Sequence, residues 1–110
     1  MMEQGKKYLS DIADAIILIE EFTYNISFEE YSIDLKTQSA VERQLGIIGE
    51  AVNKFSTLLP NENLDNIRQI VAFRNRIIHA YDSVDNSIVW AIIKKHLPLL
   101  QQEVEEKLHL

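Results

Sequence analysis

Asp34 to Pro60 reads DLKTQSAVERQLGIIGEAVNKFSTLLP. Val41, Leu45, Ile48, Val52, Phe55 and Leu59 recur at alternating steps of four and three, the spacing that lines up one apolar face of an α-helix. Ser39, Arg43, Gly46 and Glu50 fall on the other side. No proline interrupts the run, so one long buried-face helix is expected, and with it an all-α fold. Asp34 suits the N-cap. Helical pattern extends back to Phe28, so the second helix is expected over 28–59 with a kink or break near Ser32–Asp34. Ser27 with Glu30 three residues on has the form of a capping box. Gly46 and Gly49 lie mid-helix, where each costs about 1 kcal/mol relative to alanine. Such a cost is tolerated where something approaches closely, either a packed helix or a ligand.

Working outward, Leu9, Ile12, Ile16, Ile19 and Thr23 give a first helix over 3–24. Pro60-Asn61-Glu62-Asn63 is a turn. A third helix is expected over 64–80 and a short connection at Asp82-Ser83. Asp85 caps the fourth helix, with Val84 and Val89 placed as a hydrophobic staple. Val89, Ile93, Leu100, Val104 and Leu108 supply its buried side, and Pro98 removes a backbone donor and kinks it. Short connections between long helices predict an up-and-down antiparallel four-helix bundle with kinked second and fourth helices, a single domain over 1–110.

Composition narrows the possible functions. The 110 residues suffice for one domain. With no cysteine, disulfides, thiolate nucleophiles and cysteine metal sites are excluded. The N-terminal stretch leads into an amphipathic segment carrying Asp11 and Asp14, unlike a signal peptide. No uncharged run approaches the roughly 20 residues of a membrane span, and the expected compartment is the cytoplasm. A net charge of −6 argues against a broad nonspecific nucleic-acid surface, so any basic site must be a local cluster.

The third helix holds an anomaly. On a wheel of about 100° per residue, Leu64, Ile67, Ile70, Val71, Ile77, Ile78 and Tyr81 form one apolar face with Arg74 in its middle. An unpaired buried charge costs several kcal/mol. Arg74 is therefore either paired within the bundle, with Glu42 or Glu50 as candidates, or it opens onto a cleft or a subunit interface as an anion-binding group. His79 lies about 140° around from Arg74, near the edge of the polar face. A histidine there also suits the helix C-terminus electrostatically. Arg68, Asn75, Arg76 and His79 share the polar side and, with Arg74, form the most basic stretch of the chain. Tyr81 adds a phenol beyond the helix end, where an amphipathic core residue would also fit.

The pattern disfavours several chemistries. His79, His96 and His109 have no ligand spacing and no HExxH occurs, so no metal site is expected. There is no P-loop or GxGxxG, and no cofactor is expected. What remains needs a histidine, an arginine and a substrate carrying its own nucleophile. RNA is such a substrate: its 2′-hydroxyl can attack the adjacent phosphate without a metal. A histidine can move the proton, and an arginine can hold the phosphate bidentately. A symmetric dimer would present two copies of each across one cleft.

Arg74, four residues, His79, one residue and Tyr81 match the R-x4-H-x-Y motif of HEPN-domain ribonucleases, and the chain resembles the HepT toxins of HepT–MNT toxin–antitoxin pairs. The stretch from Ala40 to Ala51 is similar to that family's second-helix signature. So are Phe73 to Tyr81, Val84-Asp85, Trp90 and Leu97-Pro98-Leu99-Leu100. The resemblance spans essentially the whole chain. It implies a HEPN bundle acting as a homodimer with a composite cleft, with Arg74 and His79 catalytic and Asn75 in support. It also implies an RNA substrate, often tRNA, and Tyr81 as the hydroxyl to which an MNT nucleotidyltransferase antitoxin transfers AMP. Arg68 and Arg76 are candidates for RNA binding. Two alternatives use the same fold: a catalytically silent HEPN adaptor of a nucleotidyltransferase, and a purely structural dimerising bundle.

Overall fold

The computed structural model describes residues 1–79 and 84–109, with side chains for all of these except 77–79. Its elements are α1 (Glu3–Phe22), α2 (Phe28–Ile33), α3 (Leu35–Leu58), α4 (Arg68–His79), α5 (Asn86–Ala91), a π-helical turn (Ile92–His96) and α6 (Leu97–Leu108). The described residues contain no strand. The molecule measures 42 × 30 × 19 Å. Its shortest dimension is that of two helix layers, since one helix with side chains is about 10 Å across.

The break expected near Asp34 is complete: α2 stops at Ile33 and α3 starts at Leu35. Asp34 accepts from the Thr37 backbone N–H at 3.0 Å and from Thr37 Oγ1 at 2.6 Å, which holds its carboxyl below the usual range. Ser27 and Glu30 form the reciprocal capping box that starts α2. Helix α1 ends at Phe22, with Thr23 as its cap, two residues short of the sequence expectation. Thr23 is buried, and its hydroxyl donates to the Ile19 carbonyl at 2.8 Å.

Leu9, Ile12, Ile16 and Ile19 of α1 interleave with Val41, Leu45, Ile48, Val52 and Phe55 of α3 in the core. A Cβ on Gly5 would meet Leu59, so the start of α1 lies beside the end of α3 and the two run antiparallel. Helix α6 completes the core with Leu97, Leu100 and Val104, while Leu108 is only partly buried.

The expected third helix needs correction at its start, because α4 begins at Arg68 and not at Leu64. Leu64 and Ile67 do pack on the core, but from a loop. Glu103 of α6 holds that loop, accepting from the backbone N–H groups of Asp65 at 2.7 Å and Asn66 at 3.2 Å. A glutamate 38 residues away thus supplies the acceptor for two backbone N–H groups that a first helical turn would have left unpaired. Lys107 pairs with Glu62 at 3.1 Å and fastens the same loop.

The kink at Pro98 takes the form of the π-helical turn over Ile92–His96. Proline offers no N–H to the carbonyl four residues back and its ring crowds that carbonyl. The chain answers by widening one turn: the Leu97 N–H reaches the Ile92 carbonyl, five residues back. Asp85 caps α5 as expected, accepting from Ser87 N–H at 2.8 Å, and Val84 and Val89 both pack into the core. No helix among the described residues is long and apolar enough to cross a membrane.

Candidate active site

The site is built where α4 lies on α3. Ile70 and Phe73 are buried and Val71 is partly buried, so this side of α4 is pressed onto the core. Arg74 sits on that side, half-buried. Its aliphatic stem runs across Gly49 of α3: a Cβ on Gly49 would come within 2.8 Å of Arg74 Cβ and 2.6 Å of its Cδ. The mid-helix glycine is therefore a groove that admits an arginine stem. Gly46, one turn earlier, has nothing within 4 Å of where its Cβ would be. The two glycines that looked alike in sequence occupy different surroundings.

Pairing of Arg74 with Glu42 or Glu50 is not what the structure contains. Among the described residues no carboxylate lies within 4.0 Å of Arg74, and Glu50 instead meets Lys54 at 3.3 Å. Glu42 is half-buried, and burial pushes its carboxyl above its ordinary value. Arg74 thus has its stem on apolar helix surface and a charge with no anionic partner among these residues. A guanidinium so placed is disposed to take an external anion.

Other candidates are distributed around the same helix. Asn75 and Arg76 are exposed, one and two steps of about 100° beyond Arg74. Arg76 lies nearly opposite Arg74 and, with Gln69, Ala72, Phe73 and Ile88, lines a separate shallow cavity of about 230 Å³ between α4 and α5. Arg68 is exposed at the first residue of α4. The helix backbone carries residue 79 at its last position, five residues and about 140° from Arg74. The side chain of His79, and Tyr81 altogether, lie outside the described residues. Arg74 and Arg76 are therefore not brought to one point on a single chain. Among the described residues, no three His, Asp or Glu side chains converge as a metal site.

Sequence reasoning missed an aromatic cluster beside this region. Trp90 of α5 packs against Tyr31 and Phe28 of α2, with ring centroids 5.3 and 6.0 Å apart. The Lys94 ammonium stands 4.8 Å over the Trp90 ring. Tyr31 is fully buried and its hydroxyl has no hydrogen-bond partner among the described residues. Burial, with a smaller contribution from the Glu42 charge, pushes that phenol far above its ordinary value. A six-residue helix is too short to reveal by periodicity which of its side chains is buried, so only spatial information could find Tyr31.

This geometry meets a family match covering most of the chain. The model of the "Ribonuclease HepT-like" family matches residues 12–106. This chain belongs to the HepT-like ribonuclease family. Its relatives include a protein named "Probable ribonuclease HepT" from Thermococcus cleftensis, 44% identical over 96% of this chain and 97% of the relative. Two more, each named "Putative RNase", come from Methanocaldococcus jannaschii (35% identical; 91% of this chain, 93% of the relative) and Caldanaerobacter subterraneus (33% identical; 96% and 95%). No solved structure matches the chain. The HepT-like match includes both the Gly49 groove and the helix that carries Arg74 and His79.

Proposed function

We propose that this HepT-like protein is a metal-independent endoribonuclease acting through Arg74 and His79. The observation that carries the reading is the placement of Arg74: half-buried on an apolar face, without a carboxylate within 4.0 Å among the described residues, in the helix that ends at His79. The RNA 2′-hydroxyl attacks the adjacent phosphorus. The P–O2′ bond forms, the P–O5′ bond breaks, and the products are a 2′,3′-cyclic phosphate and a 5′-hydroxyl. One His79 imidazole takes the 2′-hydroxyl proton, and a second, as imidazolium, gives a proton to the departing O5′. Arg74 binds the phosphate and the charge that builds on it. One chain supplies one such histidine, so the working unit is a homodimer in which two α4 helices share a composite cleft.

Charge distribution supports an RNA substrate despite the net charge of −6. Residues 68–96 carry five cations, Arg68, Arg74, Arg76, Lys94 and Lys95, against two carboxylates, Asp82 and Asp85. The acidity lies elsewhere, much of it in α1, where Glu3, Asp11, Asp14, Glu20 and Glu21 face two lysines. A local basic tract suffices to contact a few phosphates.

The same reading makes the chain the cytoplasmic toxin of a toxin–antitoxin pair. Its antitoxin is an MNT-type nucleotidyltransferase, which silences it by transferring AMP from ATP to the Tyr81 hydroxyl with release of pyrophosphate. Asn75 supports the catalytic pair, and Arg68 and Arg76 bind RNA outside the cleft. Induced expression in bacteria tests this: the unmodified chain should arrest growth, and His79→Ala and Arg74→Ala should each abolish the arrest. A harmless wild-type chain that leaves RNA intact overturns the ribonuclease. Incubation with the nucleotidyltransferase and ATP should add adenylate mass that Tyr81→Phe prevents; mass gain in that variant removes Tyr81 as the acceptor.

A further inference from the structure

We propose that Gly49 is a positioning residue for Arg74, the missing Cβ of α3 forming the groove that aims the guanidinium out of the bundle. The inference rests on Arg74 acting in the site described above. The three atoms nearest to a Cβ on Gly49 all belong to Arg74: Cδ at 2.6 Å, Cβ at 2.8 Å and Cγ at 3.1 Å. Ordinary contact begins at 3.4 Å. The Cδ could swing aside, but the Cβ is fixed to the α4 backbone. An alanine therefore forces both a new path for the stem and a retreat of α4 by about 0.6 Å, the shortfall from ordinary contact at that Cβ. That displacement lands on the helix that carries both Arg74 and His79. A misplacement of about 1 Å in a catalytic group costs on the order of 100-fold in rate, and the new path of the stem adds to the helix shift.

The neighbouring glycine separates this role from a general demand for flexibility in α3. Gly46 lies three residues away in the same helix and would meet nothing within 4 Å. Alanine there removes only the intrinsic helix penalty of glycine.

The test measures cleavage and folding together in the dimeric protein on a fluorogenic RNA. Gly49→Ala should lower kcat about 100-fold with KM changed less than about threefold, because the phosphate is still bound but wrongly aimed. Gly46→Ala should keep wild-type kcat and raise Tm by about 4 °C. In the unaltered protein, nuclear Overhauser contacts should connect the Gly49 Hα protons to the Arg74 Hβ and Hδ protons, a readout independent of whether any variant folds. Wild-type kcat in Gly49→Ala, absence of those contacts, or an equal loss in Gly46→Ala overturns the positioning role. If Arg74→Ala loses cleavage while Gly49→Ala keeps it, the positioning role falls and the ribonuclease stands. If Arg74→Ala cleaves normally, the ribonuclease reading falls first.

Discussion

Replacing Arg74 by methionine separates a structural arginine from a functional one. Methionine keeps an unbranched stem over Gly49 and removes only the charged head. Were the guanidinium half of a buried ion pair, the change would strand its carboxylate at a cost of about 3–5 kcal/mol. At about 4 °C per kcal/mol for a domain of this size, Tm would fall by more than about 10 °C. No such carboxylate lies within 4.0 Å among the described residues, and Glu50 is engaged with Lys54. The expected change in Tm is therefore within about 2 °C, or upward, since a charge leaves an apolar face. Cleavage should behave oppositely. Losing one donor to a developing negative charge costs on the order of 10²–10³ in kcat. Thermal unfolding by circular dichroism and initial rates on a short RNA measure both. A Tm loss above about 10 °C, or an undiminished kcat, refutes the reasoning.

Further consequences concern buried polar groups and the loop before α4. The Glu42 carboxyl is raised by burial, so the folded state holds its proton more tightly than the unfolded chain does. Stability from this group is present below the ordinary glutamate value and lost as pH rises through the raised one. Glu42→Gln should accordingly flatten that loss and raise Tm at pH 7, checked by melting from pH 4 to 8; a lowered Tm at pH 7 would contradict it. Tyr31→Phe removes a buried hydroxyl without a partner among the described residues, and urea unfolding should show stability unchanged or up by about 1 kcal/mol. Glu103→Ala strips the acceptor from two backbone N–H groups and should cost about 1–3 kcal/mol, with faster hydrogen exchange at Asp65 and Asn66.

How far the sequence foretold the molecule depends on the range of the interactions. Helix α3 was legible because its stripe repeats over many turns, and its cap and the α2 capping box are local hydrogen bonds. The start of α4 was misread because Leu64 and Ile67 keep helical spacing while sitting in a loop. That loop is held by Glu103, a partner no local pattern announces. Pro98 signalled a distortion, but not that the widened turn would fall on its N-terminal side. At the site, the wheel singled out Arg74 correctly as a charge on a packed face. It could not say whether a glutamate would meet it, since that depends on the relative placement of α3 and α4. Likewise the sequence marked Gly46 and Gly49 as a pair, and only the packing of α4 distinguishes them.

The central claim, that Arg74 and His79 cleave RNA without a metal, is tested most directly by the chemistry of the cut ends. The purified chain, kept in excess EDTA, is incubated with a short RNA and the fragments are weighed by mass spectrometry. The account predicts 2′,3′-cyclic phosphate and 5′-hydroxyl termini, undiminished by the chelator and absent with His79→Ala. Intact RNA, cleavage abolished by EDTA, or 5′-phosphate ends would contradict it.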